Sequence, residues 1–297
     1  VCLTGLFPEE IVEKLSLSQS FRGKQIFKWI YSHTNEFSKM SNLSKDLRDL
    51  LENNAIIRSS TVNQVLKDPD GTIKLQIKLC DGLFIETVLL TDKNDRKTAC
   101  VSCQAGCAMK CAFCQTGTLG LARNLSAGEI IEQFMYLEEE AGTLDNIVFM
   151  GMGEPMMNLE GIRKAISILS SKEGRNLSTR RITLSTCGVI KGIYDLADNG
   201  PNIRLAVSLT TADEKLREDL MPIQKGNPLP ELRKAINYYA QKSGKRVTLE
   251  AALLHDKNTG KESATRFIEF AKGIDVNINL IPWNPIDTLP FSEPTAQ

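Results

Sequence analysis

The sequence predicts an α/β fold, a partial six-stranded (β/α)6 barrel carrying a small N-terminal helical domain and a β connector. Three observations lead there. Residues 1–60 place apolar side chains at helical spacing, residues 61–96 alternate apolar and polar with turn residues between, and from residue 97 onward short apolar strands alternate with amphipathic helices. The last pattern implies a parallel sheet with crossover helices, and six strands make an open barrel rather than a complete eight-stranded one.

In the first segment Pro8 opens EEIVEKL, FRGKQIFKWIYSH is expected to set Phe21, Ile26, Ile30 and Tyr31 on one face, and LSKDLRDLLENN ends on asparagines. The connector follows, with Pro69-Asp70-Gly71 and Asp81-Gly82 as hairpin turns. Strands are then expected near 98–103, 146–150, 180–186, 203–209, 246–253 and 275–281. Ser126 and Glu129 form a capping box ahead of Ile130, Phe134 and Leu137, and Asn158 caps a helix that buries Leu159, Ile162, Ile166 and Leu169. Further helices fit 189–199, 229–242 and 261–272, with Gly244 just past the end of one. The domain reading is therefore 1–60, 61–96 and 97–297.

Composition excludes more than it selects. The 297 residues are 42% hydrophobic and 24% charged, and no apolar run approaches the ~20 residues that span a bilayer. The start, VCLTGLFPEE, has no basic segment followed by an apolar one, so the expectation is a cytoplasmic protein whose cysteines are not disulfide-bonded by default. Lys+Arg and Asp+Glu are both 36, so net charge announces no nucleic-acid partner, although RNLSTRR (175–181) is a local basic run. His33 and His255 lie away from the other motifs, which argues against classical hydrolase chemistry.

Chemistry concentrates at the strand ends. CQAGCAMKCAFCQTG (103–117) follows the first barrel strand and GMGEP (151–155) the second; Ser185 ends the third, Ser208-Leu209-Thr210 the fourth, and Asn284-Pro285 follows the sixth. In α/β barrels that rim is where ligands bind. Cys107, Cys111 and Cys114 form C-x3-C-x2-C, three thiolates able to cap three irons of a cubane cluster and leave a fourth iron open. Zinc, or a fully ligated cluster with Cys103 as fourth ligand, is the competing reading, although zinc loops usually add a second remote pair. CVSC (100–103) also reads as a redox C-x-x-C pair, but on a strand rather than a helix N-terminus.

Together these motifs resemble the radical S-adenosylmethionine (SAM) superfamily. More closely, FIETV, CVSCQAGCAMKCAFCQTG, LGLARNL, NIVFMGMGEPMMNL, RRITLSTCG, LAVSL and NLIPWNP resemble the RlmN/Cfr family of RNA adenine methyltransferases, nearest to its RlmN members, over nearly the whole chain. The resemblance implies a 4Fe-4S cluster on Cys107, Cys111 and Cys114, with SAM on its open iron. It implies SAM contacts at Gly153, Glu154, Ser185, Ser208, Leu209, Thr210 and Asn284, the glutamate receiving the SAM ammonium; Thr210 stands where the family usually has histidine. Glu86 matches the family's general base and Cys100 its resolving cysteine, while Cys103 replaces the usual serine or threonine.

The implied reaction methylates carbon 2 of adenine in 23S rRNA and tRNA. Because that carbon is electron-poor and cannot attack the sulfonium methyl, the family uses a 5′-deoxyadenosyl radical, a methylated cysteine near the C-terminus and a resolving disulfide. The target adenine must be splayed from its stack. A flavodoxin-like electron donor, RNA binding by the helical domain and a monomeric chain complete the expectation. No cysteine follows Cys187. The expectation is accordingly a shortened chain that binds cluster and SAM without methylating RNA by itself. Carbon-8 methylation of the Cfr type, a radical SAM enzyme for another substrate, and a non-catalytic RNA- or zinc-binding paralogue are the alternatives.

Overall fold

The computed structural model describes residues 1–32 and 34–295. In chain order its elements are α1 (Pro8–Lys14), α2 (Ser20–Ile30), α3 (Lys45–Asn54), β1 (Thr61–Lys67), β2 (Ile73–Lys78), β3 (Phe84–Thr91), β4 (Lys97–Cys100), β5 (Gln104–Gly106), α4 (Gln115–Thr118), β6 (Leu121–Asn124), α5 (Ala127–Ala141), β7 (Asn146–Phe149), α6 (Leu159–Ser170), β8 (Ile182–Thr186), α7 (Ile190–Asn199), β9 (Arg204–Ser208), α8 (Glu214–Leu220), α9 (Leu229–Ser243), β10 (Val247–Leu253), α10 (Lys261–Ala271) and β11 (Val276–Pro282). This is the α/β alternation that the sequence predicts. Among the described residues no helix is long and apolar enough to cross a membrane.

Two compact units divide the chain. The first holds 1–105, 124–151 and 160–181. Its strands run in the order β1-β2-β3-β4-β7, antiparallel through β4 and parallel between β4 and β7. The turn residues act as expected, with Gly71 and Gly82 at φ 89° and 85° where the chain reverses. α3 starts at Ser44, whose hydroxyl accepts from the Leu47 N–H at 3.3 Å.

One predicted face needs correction. α2 buries Gly23, Ile26, Phe27 and Ile30, while Phe21 is 51% exposed and lies under the Arg22 guanidinium. Five residues at 100° each rotate Phe21 well off the Ile26 stripe, whereas 23, 26, 27 and 30 keep the i, i+3, i+4, i+7 spacing. Gly23 is required there because a Cβ would come within 2.1 Å of the Pro8 carbonyl oxygen, so α1 and α2 touch backbone to backbone.

α5 carries the predicted capping box, Ser126 accepting from the Glu129 N–H and the Glu129 carboxylate from the Ser126 N–H. It is buried from Ala127 to Glu138, including Glu132, whose carboxylate accepts the Ser59 and Ser60 N–H groups at 2.8 and 2.9 Å. A buried carboxylate is tolerated here because its lone pairs are filled.

The second unit holds 106–123, 152–159 and 182–297. β8-β9-β10-β11 form a parallel run, with β8, β9 and β10 burying apolar side chains in their middles. β11 is its edge strand, with Ile278 and Leu280 exposed. α8 is an element the sequence reading lacks: seven residues are too short to show periodicity, and its one local signal is Asp213, whose carboxylate accepts from the Leu216 N–H at 2.9 Å.

Candidate cluster and cofactor site

Backbone restraints shape the cysteine loop first. The Cys107 N–H donates to the Gly120 carbonyl at 2.8 Å, and a Cβ on Gly106 would come within 1.9 Å of that same oxygen. Lys110 takes a left-handed conformation, φ 54°, to turn the chain between Cys107 and Cys111. Three further anchors hold the loop from outside. The Ala112 N–H donates to Leu220 O at the end of α8 (2.8 Å), Trp283 Nε1–H to Phe113 O (2.9 Å), and Thr288 Oγ1 to Gln115 Oε1 (2.8 Å). Trp283, buried beside Cys187, Leu220, Met221 and Leu254, is a supporting residue the sequence reading did not single out.

Cys107 is buried and Cys111 and Cys114 are partly buried. Burial, and then the neighbouring Cys114, Cys107 and Glu154, push the Cys111 thiol up to about 12, with only Arg217 opposing. Cys107 is raised by burial too, with Glu154 and Cys114 adding to the effect. Among the described residues no three ligating side chains are gathered so as to enclose a single metal ion. Three soft thiols and a carboxylate that repel one another when ionised are relieved by a cationic centre placed among them, so the donor set fits a cluster in which each sulfur caps its own iron.

Gly153 stands at φ 107° and Glu154 is buried. Glu154 Oε2 accepts from the Cys187 N–H at 2.8 Å and Oε1 from the Met156 N–H at 3.0 Å, so the carboxylate fastens the GMGEP loop to the loop after β8. Burial raises its pKa against the pull of those N–H groups. Sequence reasoning assigned this side chain a ligand contact; its place in the fold adds a clamp.

The polar strand ends converge. Ser185 Oγ and Ser208 Oγ lie 3.4 Å apart, Ser185 Oγ donates to Glu250 Oε2 at 3.0 Å, and Asn279 Nδ2 to Glu250 Oε1 at 3.4 Å. Registers pair Glu250 with both Ser208 and Asn279, making one polar row across β9, β10 and β11. Glu250 was legible, in retrospect, as a carboxylate inside the apolar strand VTLEAAL. Leu209 is buried, and Thr210 holds φ 60° with its N–H on Glu250 O and its own carbonyl accepting from Asn258 Nδ2 at 2.8 Å. A β-branched residue in that region costs about 1–3 kcal/mol, which its two hydrogen-bonded neighbours offset. Asn284 is exposed, directly after the buried Trp283. His255 lies beside the exposed Asp256, and His33 lies outside the described residues.

In the first unit Glu86 and Cys100 share one sheet face. Cys100 pairs with Val88, two residues from Glu86, and the residues between, Ile85, Thr87 and Leu89, point to the buried side. Glu86 is ion-paired with Lys74 at 2.9 Å and is 44% exposed. Burial pushes the Cys100 thiol up to about 11. All eight cysteines are free, so the disulfide that the family mechanism implies is not formed in this structure; Cys100 has no cysteine bonded to it.

Comparison with known proteins fits this geometry. Residues 101–268 match the Radical SAM superfamily, and residues 12–57 match the ribosomal RNA large subunit methyltransferase N-terminal domain. The chain is 62% identical over 293 residues to a probable dual-specificity RNA methyltransferase RlmN from Treponema denticola, covering 99% of this chain and 84% of that protein. The chain belongs to the RlmN family of radical SAM methyltransferases. A second RlmN relative, from Treponema pallidum, is 53% identical over 98% of this chain and 86% of its own length. Among solved structures, a radical SAM methyltransferase from Sphaerobacter thermophilus superposes with a TM-score of 0.94 at 39% identity, covering 99% of this chain and 89% of that one. RlmN membership brings with it the 4Fe-4S cluster and SAM as cofactors, and a radical SAM methyltransferase fold.

Proposed function

We propose that this protein methylates carbon 2 of adenine in 23S rRNA and in tRNA. One observation carries the reading: a three-cysteine loop, braced by Trp283 and α8, stands in the same compact unit as the Ser185–Ser208–Glu250–Asn279 polar row, in a chain 62% identical to a probable dual-specificity RNA methyltransferase RlmN.

Cys107, Cys111 and Cys114 would hold the cluster, and Gly153, Glu154, Ser185, Ser208, Leu209, Thr210 and Asn284 would bind SAM. When bound, cluster and SAM supply the radical chemistry that an electron-poor ring carbon requires. The chain's own groups handle protons and thiols. Glu86, solvent-accessible beside Lys74, is the acceptor for the proton leaving the adenine ring. Cys100 on the same face is the resolving thiol, kept protonated at neutral pH by burial. Residues 1–60 serve as an RNA-gripping domain, with Lys24, Lys28 and Trp29 beside Arg175 on one concave surface, and 61–96 connects it to the catalytic part. A flavodoxin-like donor, a cytoplasmic setting and a monomeric state complete the proposal.

The test is nucleoside mass analysis of 23S rRNA and tRNA from cells whose gene for this protein has been deleted. Loss of 2-methyladenosine from both RNAs is the expected result. Unchanged 2-methyladenosine sinks the proposal, and loss of 8-methyladenosine instead assigns the Cfr-type reaction.

A further inference from the structure

Arg217 on α8 is the largest fully buried side chain among the described residues. Its guanidinium donates from Nε to Leu209 O at 3.2 Å, from Nη1 to Gln224 Oε1 at 2.8 Å and from Nη2 to Cys187 O at 2.7 Å. Every one of these acceptors is neutral, and the described residues include no carboxylate in ion-pair range of it. A buried cation with no anion costs several kcal/mol, so an arginine used merely to tie loops would be a poor choice of fastener. What does lie near it is a pair of cysteines: Nη2 is bonded to the backbone of Cys187, and Cys111, a member of the three-cysteine loop, packs against the same buried cluster as Cys187 and Leu220. The fold is arranged to admit the guanidinium. A Cβ on Gly188, at φ 103°, would stand 3.1 Å from Nη2, and the backbone of the loop residue after Cys111 is bonded to Leu220 at the end of Arg217's own helix.

We infer that Arg217 is a positioning residue for this site. It joins the loop after β8 to the loop after β9 and supplies the buried positive charge that balances the thiolate-held cluster, making that cluster easier to reduce. The inference rests on the cluster assignment proposed above. A fixed cation favours the more negative, reduced form of a neighbouring redox centre, so neutralising it lowers the midpoint potential.

The experiment is a potentiometric titration with dithionite and mediators, followed by electron paramagnetic resonance, on anaerobically reconstituted protein with iron measured in each sample. Gln224→Glu is the decisive variant because it places a carboxylate on the guanidinium and cancels its charge while keeping the hydrogen bond. Arg217→Met removes the cation, and Arg217→Lys keeps it without the fork. Gln224→Glu and Arg217→Met are expected to lower the midpoint by at least about 59 mV, the equivalent of a tenfold change in the reduced-to-oxidised ratio of a one-electron couple. Arg217→Lys is expected to stay near the parent protein.

A Gln224→Glu protein that holds parental iron at the parental potential overturns the inference. So does Gln224→Glu protein that loses its iron while Arg217→Lys loses it equally, since that marks a purely structural role. If the parent protein itself takes up no iron, the cluster assignment has failed, and this inference fails with it for that separate reason.

Discussion

Cys80 and Cys100 show how burial sorts thiols that look alike in the sequence. Cys80 is exposed at a hairpin turn; Cys100 is held on a sheet face and its thiol is pushed up to about 11. A raised thiol pKa leaves the group protonated below that value, so at pH 8 only about one Cys100 in a thousand is the reactive thiolate. Brief iodoacetamide treatment at pH 8, mapped by mass spectrometry, is therefore expected to label Cys80 well before Cys100, with Cys100 labelling rising steeply as pH passes 10. Equal labelling of the two at pH 8 contradicts the burial argument. At this scale the sequence placed Cys107, Cys111 and Cys114 on one loop, because their spacing is itself the signal. It could not show Arg217, Glu250 or Trp283, whose roles come from which backbone atoms and side chains meet in space.

The elements were legible wherever periodicity had room to repeat. α5, α6, α7, α9 and α10, with the six strands β4, β7, β8, β9, β10 and β11, agree with the predicted spans to within a few residues, and Gly244 takes the left-handed cap at φ 65°. The first barrel strand came out shorter than expected, ending at Cys100, although the Val101 N–H still donates to Val148 O, because the chain bends at Cys103 before the short β5. α4, β6 and α8 are each four to seven residues long, too few for a repeat to declare itself. The corrected face of α2 gives a paired prediction. Ile30 is fully buried and Phe21 is half exposed, so Ile30→Ala is expected to cost about 2–5 kcal/mol and Phe21→Ala to stay within about 1 kcal/mol, as read from urea unfolding midpoints. Equal losses would restore the face that the sequence alone suggested.

For the molecule as a whole, the α/β class followed from alternation, and the family from motifs at strand ends. The division into compact units did not, because the second unit takes up two short excursions, 106–123 and 152–159, from within the first unit's stretch of sequence. That interleaving puts Cys107, Cys111 and Cys114, Gly153 and Glu154, and the ends of β8 and β9 into one folded body. The most direct test is electron paramagnetic resonance of the anaerobically reconstituted, reduced protein with and without SAM, together with metal analysis. The account predicts iron rather than zinc and a cluster signal whose shape changes when SAM is added, because three cysteines leave one iron open to it. Zinc without iron, or a cluster signal indifferent to SAM, would contradict the central claim that Cys107, Cys111 and Cys114 build an open radical SAM centre.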